Sequence, residues 1–249
     1  MTKKIWITGA SSGIGRALAI KFSNQGWQVA ASARRESLLN DLNKNYPNIH
    51  AFVLDVKDEK SVRNVFQNIL QKFETLDICV FATGIHDPEA EKKLSSEKIR
   101  EIMETNFFGT LNCIMAVNSF FREKKDGHIA IVSSVAGYRG LPAASGYCAS
   151  KAALTSLAES LYFDFKRKNV KVSLISPGFI KTPMTDKNTF PMPMIKSPEY
   201  AAEKIFIGLT KKSSFEIHFP KSFTILLKLL KIMPNWLFFW LVERGVKRF

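Results

Sequence analysis

The residues best suited to acid–base chemistry lie in one stretch, Ser145-Gly146-Tyr147-Cys148-Ala149-Ser150-Lys151. On a helix, Tyr147 and Lys151 fall one turn apart on the same face, so hydroxyl and ammonium can approach one point together. A free tyrosine has a pKa of about 10 and exchanges protons poorly at neutral pH. A fixed cation beside it favours the phenolate, so the pair is expected to work with the Tyr147 pKa drawn down. Ordinary helix surfaces carry such pairs too. The reading therefore depends on its surroundings.

A second constellation stands near the N-terminus. Lys4-Ile5-Trp6-Ile7-Thr8 is a short apolar run, followed by Gly9-Ala10-Ser11-Ser12-Gly13-Ile14-Gly15 and a helical pattern over 16–25. Strand, glycine turn and helix together make a cradle for the phosphates of a dinucleotide. Gly9 is expected to make the tight turn, Gly13 to let backbone approach the pyrophosphate, and Gly15 to allow close helix packing. The first N–H groups of the helix then face the phosphates. The next strand, 28–33, ends without the carboxylate that would hold a ribose 2′-hydroxyl. Arg34 and Arg35 stand there instead and suit a 2′-phosphate, which points to NADP(H).

Hydrophobic periodicity supplies the elements that must position these groups. Further strands are expected at 49–54, 77–81, 128–132, 171–175 and 215–219, and helices at 58–73, 96–121, 152–168 and 198–209. This alternation predicts an α/β fold, a doubly wound, mostly parallel, Rossmann-like sheet of about seven strands over residues 1–220. Residues 221–249 are surplus to it and read as an amphipathic helical tail. Asn106 falls mid-way along the 96–121 helix, a poor place for asparagine unless its side chain holds a kink or a water.

Composition excludes several alternatives. With 249 residues and 46% hydrophobic content, the chain can bury one substantial core. Cys79, Cys113 and Cys148 show no framework spacing and read as reduced thiols in a cytoplasmic protein. The histidines at 50, 86, 128 and 218 include no pair at metal-ligand spacing, so no metal site is expected. A strand beginning at residue 4 is expected to leave no room for a signal peptide. The net charge of +14 is uneven, because residues 211–249 hold eight Lys/Arg against two Glu. No basic stripe with interleaved aromatics runs through the body, and nucleic-acid binding is not expected.

Taken in chain order, these features resemble the short-chain dehydrogenase/reductase family of the compact single-domain type, over about residues 3–220. Thr8-Gly9-x-x-x-Gly13-Ile14-Gly15 is similar to the family's phosphate motif, with Ser11 and Ser12 inside it, and Asp55-Val56 to its adenine contact. Asn106, Ser134, Tyr147 and Lys151 match its catalytic tetrad, with thirteen residues from Ser134 to Tyr147. Pro177-Gly178-x-Ile180-x-Thr182 matches the loop bordering the nicotinamide. The family's Asn-Asn-Ala-Gly after the fourth strand is here Phe81-Ala82-Thr83-Gly84, which leaves Ala82 and Gly84 as cofactor contacts of an altered motif.

The resemblance implies an NADP(H)-dependent oxidoreductase interconverting carbonyl and alcohol, working as a homo-oligomer. Ser134 would fix the substrate oxygen, and Tyr147 would move the proton as hydride passes. Lys151 would lower the Tyr147 pKa and bond the nicotinamide ribose, and Asn106 would hold a water linking Lys151 to solvent. The alternative is a dinucleotide sensor or a membrane-recruited scaffold on the same fold, for which a tuned tyrosine has no use.

Met184, Phe190, Met192, Met194 and Ile195 give the irregular loop 179–197 an apolar, adaptable character that suits either a lid over the substrate or packing of the loop onto the body. A lipophilic ketone, aldehyde or alcohol is the expected substrate. In the tail, Lys221, Thr224, Lys228 and Lys231 form a narrow polar stripe on an otherwise aliphatic helix, Pro234-Asn235 breaks it, and 236–242 is apolar with two tryptophans. Glu243-Arg244 and Lys247-Arg248 follow. Two central lysines would each disfavour insertion by about 3 kcal/mol, so the tail is expected to lie along an anionic membrane surface rather than cross it. The competing expectation is a tail packed on a partner subunit or over the active site.

Overall fold

The computed structural model describes residues 2–188, 190–212 and 214–246. Seven strands form one sheet: β1 (Lys4–Thr8), β2 (Gln28–Ala33), β3 (Ile49–Val53), β4 (Ile78–Phe81), β5 (His128–Val132), β6 (Lys171–Pro177) and β7 (Glu216–Phe219). They lie in the order β3-β2-β1-β4-β5-β6-β7, and every pairing is parallel. β4 and β5 are buried at every residue, as strands covered on both faces must be.

Helices cover both faces. α1 (Gly13–Asn24), α2 (Glu36–Asn45) and α8 (Pro198–Ile207) build one core, where Phe22 meets Trp27 and Phe206 edge-on with centroids 4.9 and 5.0 Å away. α3 (Glu59–Phe73), α6 (Gly109–Lys124) and α7 (Ser145–Lys166) build the other around Trp6. That indole is fully buried between Phe66 and Phe81, and its Nε1 donates to Ser32 Oγ at 2.9 Å. Strand order reverses between β1 and β4, and the carboxyl ends of these strands open the crevice where such sheets take ligands.

Three local features differ from the sequence expectation. α2 and a short helix, α4 (Pro88–Lys92), were not expected; Asp87 caps α4 by accepting from Ala90 N at 3.2 Å. The expected 96–121 helix runs as α5 (Ser96–Met103), a five-residue π-turn at Glu104–Phe108, and α6. Asn106 sits in that π-turn, where the regular helix is interrupted. α7 begins at Ser145, seven residues before the expected start, and the Tyr147–Lys151 pair occupies its first two turns.

The tail folds as α9 (Lys221–Ile232) and α10 (Asn235–Val246), broken at Pro234-Asn235. Part of its polar stripe turns inward, onto the body. Thr224 is fully buried with Oγ1 2.6 Å from His218 Nδ1, and Lys228 pairs with Glu216. Arg139 donates to the carbonyls of Leu230 and Met233 at 2.9 and 2.7 Å and stacks on Phe238 at 4.0 Å. Body-side polar partners therefore attract the stripe, and the aliphatic side is left outside: Ile225, Leu226, Leu229 and Ile232 are exposed on α9, and Trp236, Phe239 and Trp240 on α10. Lys247 and Arg248 lie outside the described residues.

Candidate active site

The crevice at the switch point is a cleft of about 490 Å³. The turn from β1 into α1 forms its floor, with Ser11, Ser12, Gly13 and Ile14 on the lining. Gly9 has φ +70°, and a Cβ there would lie 2.8 Å from the Ala82 carbonyl oxygen. A Cβ on Gly15 would come within 2.3 Å of the Gly9 carbonyl oxygen. Only glycine lets these backbones meet. Ser12 makes no side-chain cap to α1, and the first turn of α1 carries no acidic residue. The resulting uncapped, electropositive helix end fits a diphosphate.

At the end of β2, Arg35 Nη2 donates to Ser11 Oγ at 2.8 Å and Ser12 Oγ at 2.7 Å. Arg34 and Lys57 each approach Asp55 Oδ2 at 4.0 Å. Arg34, Arg35, Asp55 and Val56 all line this end of the cleft. Two guanidinium groups therefore stand at this end of the cleft, one of them held by the Ser11 and Ser12 hydroxyls.

The opposite end gathers the acid–base residues. Ser134 lies just past β5, and its Oγ accepts from Ala136 N at 3.1 Å. Tyr147 is half-buried, and a hydrogen bond joins its hydroxyl to Ser134. Lys151 is 3% exposed, and its Nζ donates to the Val132 carbonyl at 2.9 Å. Burial draws the Lys151 pKa down to about 8. The expected lowering of Tyr147 does not occur: burial pushes it up to about 12, against the opposing pull of the Ser134 bond. The physical reason is placement. The Lys151 ammonium donates to a backbone carbonyl and lies 5.6 Å from the Tyr147 ring centre, and desolvation of the phenolate outweighs it.

Asn106 is fully buried behind Lys151. Its Oδ1 accepts from Ile85 N at 2.7 Å, and its Nδ2 donates to Ile85 O and Ser150 Oγ, both at 3.0 Å. The altered motif after β4 is thereby tied down: Ala82 N donates to Thr8 Oγ1 at 3.2 Å, and Ala82 and Gly84 line the cleft. A Cβ on Gly84 would sit 3.4 Å from Lys151 Nζ. Pro177, Gly178, Ile180 and Thr182 form the near wall. Phe223, in the first turn of α9, packs on this wall with its ring centre 5.5 Å from that of Phe179.

Every residue singled out from the sequence for catalysis or cofactor contact lines this cleft except Asn106, which lies behind it. One residue was overlooked. His86, read as an ordinary histidine, lines the cleft with its ring centre 4.6 Å from that of Tyr147. Its position two residues after Gly84 was the available signal.

Comparison with known proteins gives the family. Residues 3–216 match the family described as short chain dehydrogenase. The chain is 34% identical over 236 residues to an uncharacterized oxidoreductase of Myxococcus xanthus, covering 93% of each. It is 29% identical to the 3-oxoacyl-(acyl-carrier-protein) reductase of Thermotoga maritima, covering 84% of this chain and 91% of that protein. Among solved structures, ElxO with NADP bound aligns with a TM-score of 0.78 at 26% identity, over 88% of this chain and 98% of the other.

Proposed function

The chain belongs to the short-chain dehydrogenase family, and from that premise we propose that it is an NADP(H)-dependent oxidoreductase interconverting a lipophilic carbonyl compound and its alcohol. The observation that carries the reading is the convergence of Ser134, Tyr147 and Lys151 at one end of a cleft whose other end is basic. The NADP-bound and 3-oxoacyl-reducing relatives support the cofactor and the carbonyl class.

The dinucleotide, when bound, supplies or accepts the hydride. The α1 N-terminus would hold its diphosphate, and Arg34 and Arg35 its 2′-phosphate. In the reductive direction the Tyr147 hydroxyl gives its proton to the substrate oxygen, which the Ser134 hydroxyl orients. The Lys151 ammonium lowers the energy of the phenolate left behind. Asn106 keeps the π-turn and the Ile85 backbone in place behind Lys151, which suits it to hold the water of a proton relay.

The placement we propose is peripheral, on the cytoplasmic face of an anionic membrane. Among the described residues no helix is long and apolar enough to cross a bilayer. An amphipathic helix docked by its polar stripe, aliphatic side outward, calls for a second apolar medium. Exposed Lys221, Lys231 and Arg244 favour an anionic one and disfavour pairing two copies through this face. A homo-oligomer would form elsewhere, where Phe108, Met115 and Phe163 are exposed. Turnover of a ketone and alcohol panel with both nicotinamide cofactors tests the central proposal. Cofactor binding without turnover of any member would favour the sensor instead.

A further inference from the structure

Behind Tyr147 lies a buried pair that the acid–base scheme does not use. Glu91, from α4, is wholly buried in its side chain. Its Oε2 accepts from Gly146 N at 2.6 Å and Tyr147 N at 3.1 Å, so a carboxyl group from another helix caps the start of α7. Its Oε1 has no hydrogen-bond partner and faces His86 Nε2, equally unpartnered, at 3.3 Å. His86 bonds the backbone of Ala143, whose φ of +52° is an unusual conformation for a residue with a side chain. With Nε2 unpartnered, that bond belongs to Nδ1–H.

Counting hydrogens makes the contact informative. Nδ1–H is committed to Ala143, so Nε2 and Oε1 form a hydrogen bond only when one further proton lies between them. Without it, two buried acceptors face each other at 3.3 Å. The charged groups acting on His86 besides Glu91 are Asp87 and Lys187, and burial is the largest influence, holding the ring less basic than a free histidine. The His86 ring meanwhile lies against that of Tyr147 at 31°.

We propose that Glu91 and His86 hold one proton between them and act as positioning residues for Tyr147, Glu91 through the first turn of α7 and His86 through the stacked ring. The proposal rests on the reading of Tyr147 as the proton donor, but half of its test needs no turnover. In the full-length protein, the ring ¹⁵N spectrum, followed from pH 5 to 7 and assigned with His86→Gln, should show a hydrogen-bonded Nε2 once the pair has taken up its proton. A bare lone-pair signal there throughout would overturn the shared proton whatever the enzyme's activity.

The other half is kinetic. Glu91→Leu removes the cap and the contact, and should lower kcat by about 10- to 100-fold, the scale of a misplaced catalytic group, with KM for NADPH unchanged. Glu91→Gln keeps an oxygen for the two amides and an N–H for His86 Nε2, so it should restore most of kcat. Equal kcat in the Leu variant and the unmodified protein would refute the positioning role, as would failure of Gln to rescue. Should the Leu variant not fold, His86→Phe provides the second measurement. It keeps a stacked ring without the proton, and unchanged kcat there would sink the role of the couple.

Discussion

Tyr147 and Lys151 occupy one turn of helix, yet burial rather than their mutual attraction dominates both. Two outcomes follow at this scale. Tyr147→Phe should abolish turnover while NADPH titration by fluorescence stays near normal, since the ring and its packing remain. Substantial residual activity would remove Tyr147 from the mechanism. The second outcome concerns pH. Lys151 loses its proton as pH rises through about 8, whereas Tyr147 keeps its own until about 12. The ammonium that favours the phenolate is therefore present below about 8 and lost above it. Ketone reduction should decline through that region, because the product phenolate becomes costlier. A kcat profile flat to pH 10 would contradict this assignment.

At the scale of elements, the β1–α1 turn and the end of β2 decide which nucleotide fits. Arg35 is pre-organised by Ser11 and Ser12, so less side-chain freedom is lost on meeting a phosphate. Ala33→Asp with Arg34→Leu should weaken NADPH and favour NADH, because a carboxylate repels the 2′-phosphate and accepts from a 2′-hydroxyl. Unmodified protein that binds NADH as tightly as NADPH would show that the arginines have another task. Gly15 tests the turn itself. A Cβ 2.3 Å from the Gly9 oxygen forces α1 away from β1, so Gly15→Ala should lower stability by about 1–3 kcal/mol in urea melts and weaken NADPH binding. An unchanged midpoint with unchanged affinity would mean that the turn yields more easily than the geometry indicates.

The whole molecule joins a dinucleotide fold to an outward-facing apolar helix pair that touches the cleft wall through Phe223. Sedimentation with acidic liposomes should carry the full chain down at low salt. Binding should weaken but persist as salt rises, because the leucines and tryptophans add a salt-insensitive contribution. Leu229→Glu with Trp236→Glu should leave the protein in the supernatant, both side chains being exposed and outside the cleft. Full-length protein that stays unbound at low salt would turn attention to a protein partner for the same face.

Much of this was legible in the residue order, and the reason is local. All seven strands announced themselves because parallel strands covered on both faces read as apolar runs. The glycine turn was legible because only glycine tolerates φ of +70° against a neighbouring backbone, and Asn106 because asparagine is misplaced in a regular helix. Three matters depended on tertiary contact. The protonation balance of Tyr147 depended on desolvation, which no spacing of charges reveals. The outward turn of the α9 aliphatic face depended on Glu216, His218 and Arg139, which only the fold brings beneath the polar stripe. Glu91 and His86 lie five residues apart in the chain, 55 or more from Gly146 and Tyr147, which they support. Their meeting with Tyr147 came from packing α4 on α7, because a buried carboxyl group must find donors wherever the fold supplies them.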